Sequence, residues 1–170
     1  MREWIKTNKR LLLPIALVAG LLIAVVWGFL LDEPLPGKSQ KAEGLVINEI
    51  CTKNESILMD NDGRYRDYVE LYNGGEDTNL EGFYLTDGNA KHIPFGNLPF
   101  PADSYLLVFL DQELTGFSLR ADGGETVMLM DARRNVVARA DTLAMTADQV
   151  MLYGESGYTI SDAATPGFFQ

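Results

Sequence analysis

Asp60, Asn61, Asp62 and Gly63 place three oxygen-bearing side chains in a row ahead of a turn glycine, with Asp67 and Glu70 shortly beyond. Oxygen donors spaced in this way suit a hard cation, and Ca²⁺ takes about six to eight of them. Asp60, Asp62 and Asp67 are therefore candidate Ca²⁺ ligands. The EF-hand loop is not matched, because its fifth position falls on Arg64 and its twelfth on Leu71. The same run also forms a turn without metal, since Asp and Asn side chains bond nearby backbone and glycine supplies positive φ.

Other residues offer different chemistry. Asn48, Glu49, Asp67 and Glu70 are polar groups set among apolar neighbours. A buried carboxylate is costly unless hydrogen-bonded or paired. These four are expected to be structural hydrogen-bonding groups at a sheet end, satisfied by loop N–H groups or by Arg64 and Arg66. A ligand or metal site is the alternative. Tyr68, Tyr72 and Tyr84 are expected to share an outward sheet face, a platform for sugars or a protein partner.

Several reaction classes lack their signatures. His92 is the single histidine and Cys51 the single cysteine, too few for a histidine-rich metal centre, a Cys-based zinc site or an intramolecular disulfide. Cys51 reads as a buried small hydrophobe, and His92 as a strand-end side chain. No nucleophile elbow, phosphate-binding loop or dinucleotide fingerprint occurs. A carboxylate-based hydrolase stays open, because so many acids always yield pairs, but no spacing singles one out.

The elements that must position these residues are short. Apolar runs at Leu45–Cys51, Asp67–Asn73, Gly82–Thr86, Tyr105–Leu110, Phe117–Arg120, Thr126–Met130, Val136–Ala140 and Val150–Tyr153 are separated by Asp-Gly, Asn-Gly and Ser-Gly turns. That rhythm predicts an all-β sandwich or barrel. Val69 and Leu71 are expected to face the core, with Tyr68, Glu70 and Tyr72 on the other side. Val127 and Leu129 likewise oppose Met128 and Met130. Tyr105–Leu110 is apolar on both faces, which predicts a central strand.

Ahead of this region, Leu11–Leu31 carries no ionisable side chain and follows Lys9-Arg10. As a helix it spans about 30 Å, enough to cross a bilayer. Residues 1–10 hold four basic side chains against one acidic, so they are expected to stay cytoplasmic and the remainder to lie outside. Secretion after signal cleavage is the alternative. Residues 32–43 read as a linker. Without residues 1–31, the formal charge falls from −10 to about −13, a balance unsuited to nucleic acid. No cofactor is called for beyond possible Ca²⁺.

Three segments carry a resemblance. Leu45-Val46-Ile47-Asn48-Glu49-Ile50 is followed by Asp67-Tyr68-Val69-Glu70-Leu71-Tyr72-Asn73, then by Leu80-Glu81-Gly82-Phe83-Tyr84-Leu85-Thr86-Asp87. Their order resembles the lamin tail domain family, with Phe95, Pro99, Pro101, Phe117-Ser118-Leu119, Gly124–Leu129 and Thr165-Pro166-Gly167 continuing the pattern. The resemblance spans residues 44–170 and implies an immunoglobulin-like β-sandwich, so the expected fold is all-β, that sandwich preceded by the one N-terminal transmembrane helix read from Leu11–Leu31. Its motif positions here are Asn48, Glu49, Asp67, Glu70, Asn73, Gly82 and Asp87. It further implies a binding or structural module, not a catalytic one; with the anchor, the expected function is a non-catalytic, extracytoplasmic binding or scaffolding module tethered to envelope proteins or polysaccharide. A Ca²⁺-dependent carbohydrate-binding module is the alternative.

Overall fold

The computed structural model describes residues 44–89, 91–113 and 115–167. The predicted span Leu11–Leu31, its basic flank and the linker lie outside the described residues. Among the described residues no helix is long and apolar enough to cross a membrane. They are all-β, with eleven strands in chain order. These are β1 (Leu45–Cys51), β2 (Tyr68–Asn73), β3 (Thr78–Asn79), β4 (Tyr84–Thr86), β5 (His92–Pro94) and β6 (Pro99–Phe100). The series continues with β7 (Ser104–Phe109), β8 (Thr126–Met130), β9 (Val136–Asp141), β10 (Val150–Gly154) and β11 (Gly157–Ser161).

A five-stranded sheet has the order β11-β10-β1-β2-β7, a four-stranded sheet the order β5-β4-β8-β9, and β3 pairs with β6. All pairs are antiparallel. Alternation supplies the main core: Leu45, Ile47, Ile50, Val69, Leu71, Leu85, Val127, Leu129 and Met151 are buried together. Asn48 is an extra residue in β1, because Ile47 pairs with Leu71 while Glu49 already pairs with Glu70. This bulge changes which side chains face outward, so Glu49 and Cys51 leave the main core.

The outward face of the large sheet is covered over part of its area. Ile57 and Leu58, from the β1–β2 loop, and Ala164, after β11, pack over Cys51, Tyr68, Val150 and Leu152. This second apolar cluster explains why Tyr68 is buried although it alternates with Val69 and Leu71.

Some expected elements differ. Phe117–Arg120 forms no strand, although Phe117 and Leu119 are buried. Backbone N–H groups there go to carboxylates, Arg120 to Glu125 at 2.6 Å and Leu119 to Asp67, leaving no ladder. The expected central strand at Tyr105–Leu110 is β7, at an edge of its sheet. Its second apolar face packs Leu107 and Phe109 against the outer cluster, not under a further layer of strands. Gly82 precedes β4 in a turn, with Phe83 N donating to Leu80 O at 2.9 Å. It adopts φ +80°, and a Cβ there would lie 3.0 Å from that of Ala132. β3, β5 and β6 span only two or three residues, and β11 follows β10 across a tight turn.

Candidate functional site

Glu49 and Glu70 face each other across β1 and β2. Like charges directly opposite one another destabilise a sheet, yet both side chains are fully buried. The segment after β11 supplies the compensation. Thr165 donates its N–H to Glu49 Oε2 at 2.7 Å and its hydroxyl to the same oxygen at 3.2 Å. Gly167 N–H donates to Glu70 Oε2 at 2.6 Å, and Asn48 Nδ2 to Glu70 Oε1 at 2.8 Å. Tyr68 OH donates to Glu49 Oε1. Burial pushes the Glu70 carboxyl above the ordinary glutamate range, against the pull of the Asn48 and Gly167 donors. Burial, then the bond to Glu49, raises the Tyr68 phenol. Residues 162–167 thus form a strap tied down by two carboxylates.

The candidate cation ligands do not converge on a common point. Asp60 organises its turn, with Oδ1 accepting Asp62 N–H at 2.8 Å and Arg64 N–H at 2.9 Å. Asp60 Oδ2 pairs with the Arg66 guanidinium, which also meets Asp111 at 2.7 Å and Asp62 at 3.5 Å. Arg66 is the cation around which these three carboxylates gather, beside a cavity of about 320 Å³ that Phe109 and Thr115 also line. Asp67 is directed elsewhere and accepts Asn54 N–H at 3.4 Å. Burial pushes its carboxyl up to about 6, opposed by the N–H groups of Asn54 and Leu119. No group of three or more His, Cys, Asp or Glu among the described residues is arranged to hold a metal ion.

The three tyrosines do not share a platform. Tyr68 is fully buried under the outer cluster, and Tyr84 lies on the other sheet, edge-on to His92 at 5.2 Å. Only Tyr72 keeps a half-buried position on the outward face of the large sheet. Its neighbour is Tyr105, directly across on β7, with ring centroids 4.8 Å apart. Tyr72 OH donates to Asp103 Oδ1 at 3.0 Å.

The remaining motif positions stitch loops. Asn73 Nδ2 is 2.9 Å from Glu76 O and 2.8 Å from Phe100 O, while its Oδ1 accepts Gly75 N–H at 3.0 Å. Asp87 accepts Asn89 N–H at 2.9 Å in the β4–β5 turn. That turn borders an open cleft of about 610 Å³, also lined by Lys91, Gln112, Ser118, Arg120 and Glu125. His92 is exposed at the start of β5, and Cys51 is fully buried.

Sequence reasoning passed over three organising residues. Asn54 holds the β1–β2 loop, with Nδ2 donating to Leu58 O and Arg66 O, both at 2.7 Å. Asp148 accepts Glu55 N–H at 2.7 Å and Ser56 N–H at 2.9 Å. Tyr105 lies in an apolar run where only strand order reveals its partner. An isolated Asn followed by polar residues was the one available signal for Asn54. No protein-family model matches this chain, and neither a curated protein nor a solved structure matches it.

Proposed function

We propose that this chain is a non-catalytic binding or scaffolding module of the lamin tail type, an immunoglobulin-like sandwich held outside the cell by Leu11–Leu31. The carrying observation is how the motif residues are used. Asn48, Glu49, Glu70 and Asn73 spend their hydrogen bonds on the protein's own strap and loops. Such residues preserve a scaffold, leaving exposed surfaces to do the binding. The packed sheets and the acidic composition support this reading, with envelope proteins or polysaccharide as the partner class.

The test uses the full chain. Membrane fractionation with protease protection should place it in the membrane, with residues 44–167 degraded only from outside. Affinity capture from solubilised membranes should retain a defined envelope component. A chain that fractionates as cytoplasmic would refute the anchor, and one that captures nothing beyond background would refute the binding role.

A further inference from the structure

Val46, Tyr72 and Tyr105 stand in one row across three strands, since Val46 pairs with Tyr72 and Tyr72 with Tyr105. All three are half-buried, so the row presents apolar and aromatic surface outside the area that Ile57, Leu58 and Ala164 cover. The two rings are tilted by 33°, forming a shallow aromatic step.

Acidic groups surround the step. Asp103, exposed and held at φ +53°, accepts the Tyr72 hydroxyl through one carboxylate oxygen. Asp77 clasps the same loop by accepting Ala102 N–H at 2.8 Å, and Glu76 lies exposed beside it. Residues 44–46, 72–82 and 97–107, which build this end of the sheet, contain no Lys, Arg or His. Aromatic faces next to carboxylates attract a cation twice, through the ring quadrupole and through charge. A neutral sugar would use the rings and hydrogen-bond the acids, but would gain no charge attraction from them.

We infer that the Val46–Tyr72–Tyr105 step with Asp103, Asp77 and Glu76 docks a Lys/Arg-bearing segment of a partner protein. The inference rests on the binding-module reading and names its partner's chemistry. A guanidinium or ammonium lies over the Tyr105 ring and is charge-paired with Asp103, its aliphatic stem crosses Tyr72, and a neighbouring residue of the segment covers Val46.

The test measures binding of a fluorescein-labelled (Gly-Arg)5 peptide to the detergent-solubilised full chain by fluorescence anisotropy. Tyr105→Ala and Asp103→Asn should each weaken binding by about fivefold. Asp122→Asn, an equal charge change in the turn before β8, should leave it unaltered. Tyr105→Phe should bind like wild type, keeping the ring and guarding against misfolding as the cause. Equal losses for Asp122→Asn and Asp103→Asn would overturn the site in favour of diffuse charge attraction. Binding of neutral chitotriose that is lost in Tyr105→Ala, with peptide binding unaltered, would assign the step to a glycan. Self-association abolished by Tyr105→Ala would assign it to a second copy. Envelope capture that survives both variants would overturn this site and leave the binding module standing. Capture absent even in wild type would remove the binding module itself.

Discussion

Glu70 Oε2 accepts the backbone N–H of Gly167 at 2.6 Å, joining two residues 97 positions apart in the chain. The bond closes the strap over a carboxylate that is buried opposite Glu49 and supplies it with a donor. The far end of the chain thereby becomes a condition for the stability of its first two strands. Glu70→Ala should lower unfolding free energy by roughly 2–4 kcal/mol, because two buried donors lose their acceptor. Urea denaturation reads the loss, and limited proteolysis should cut first within residues 162–167. An unchanged midpoint would mean the strap is not held there.

Arg66 pairs with Asp60 and Asp62, two of the three candidate Ca²⁺ ligands. Its side chain is one-tenth exposed and that of Asp60 only 5%. Arg66→Met should destabilise the fold by about 3 kcal/mol, leaving Asp60 and Asp111 without their counter-charge. Millimolar Ca²⁺ should then raise the melting temperature of Arg66→Met more than that of wild type, since the released carboxylates are hard oxygen donors. Equal shifts would show that the guanidinium does not compete with a cation.

The pH profile should have a maximum on the acidic side of neutrality. The folded Asp67 carboxyl is raised to about 6 from a usual 3.8. The native state therefore binds this proton more tightly, and its stabilising effect is lost as pH rises from about 4 to 6. Glu70 shifts in the same direction. Hydrogen bonds from Thr126 and Arg139 lower Asp141, and those from Ser56 and Glu55 lower Asp148. Their contributions run the other way, lost as pH falls through their folded pKa values. Melting temperature should peak at about pH 4, where Asp67 is still protonated while Asp141 and Asp148 are still ionised, and Asp67→Asn should flatten the fall between about pH 4 and 6. A variant as pH-sensitive as wild type would place the titration elsewhere.

Cys51 should be inert in the native protein. Burial pushes its thiol up to about 12, so the reactive thiolate is scarce at pH 8. Labelling with a disulfide reagent should be slow in buffer and complete in guanidinium chloride. Rapid native labelling would indicate that the outer cluster opens readily.

How much was legible in the sequence follows from where the information is local. Strand alternation in Asp67–Asn73 and Thr126–Met130 assigned the inward residues, because side-chain direction in a strand has a period of two. The turn chemistry of Asp87-Gly88-Asn89 is similarly local, a side chain bonding backbone two residues on. Polar residues inside an apolar strand marked Asn48, Glu49 and Glu70 as needing partners. Which partners they find depends on a strap more than ninety residues away, and no local pattern encodes that.

Outward faces show the same division. Tyr68, Tyr72 and Tyr84 are indistinguishable as exposed aromatics in sequence, since alternation says only that they leave the core of their own strand. Tertiary structure decided that a loop buries Tyr68, that Tyr84 belongs to another sheet, and that Tyr105 joins Tyr72. The sequence by itself determined the all-β character, the acidic surface and the buried carboxylates in need of donors. Strand order, loop coverage and the pairing of Arg66 with Asp111 came only with the fold. These are contacts between residues distant along the chain, set by which faces must be covered and not by what stands next to them.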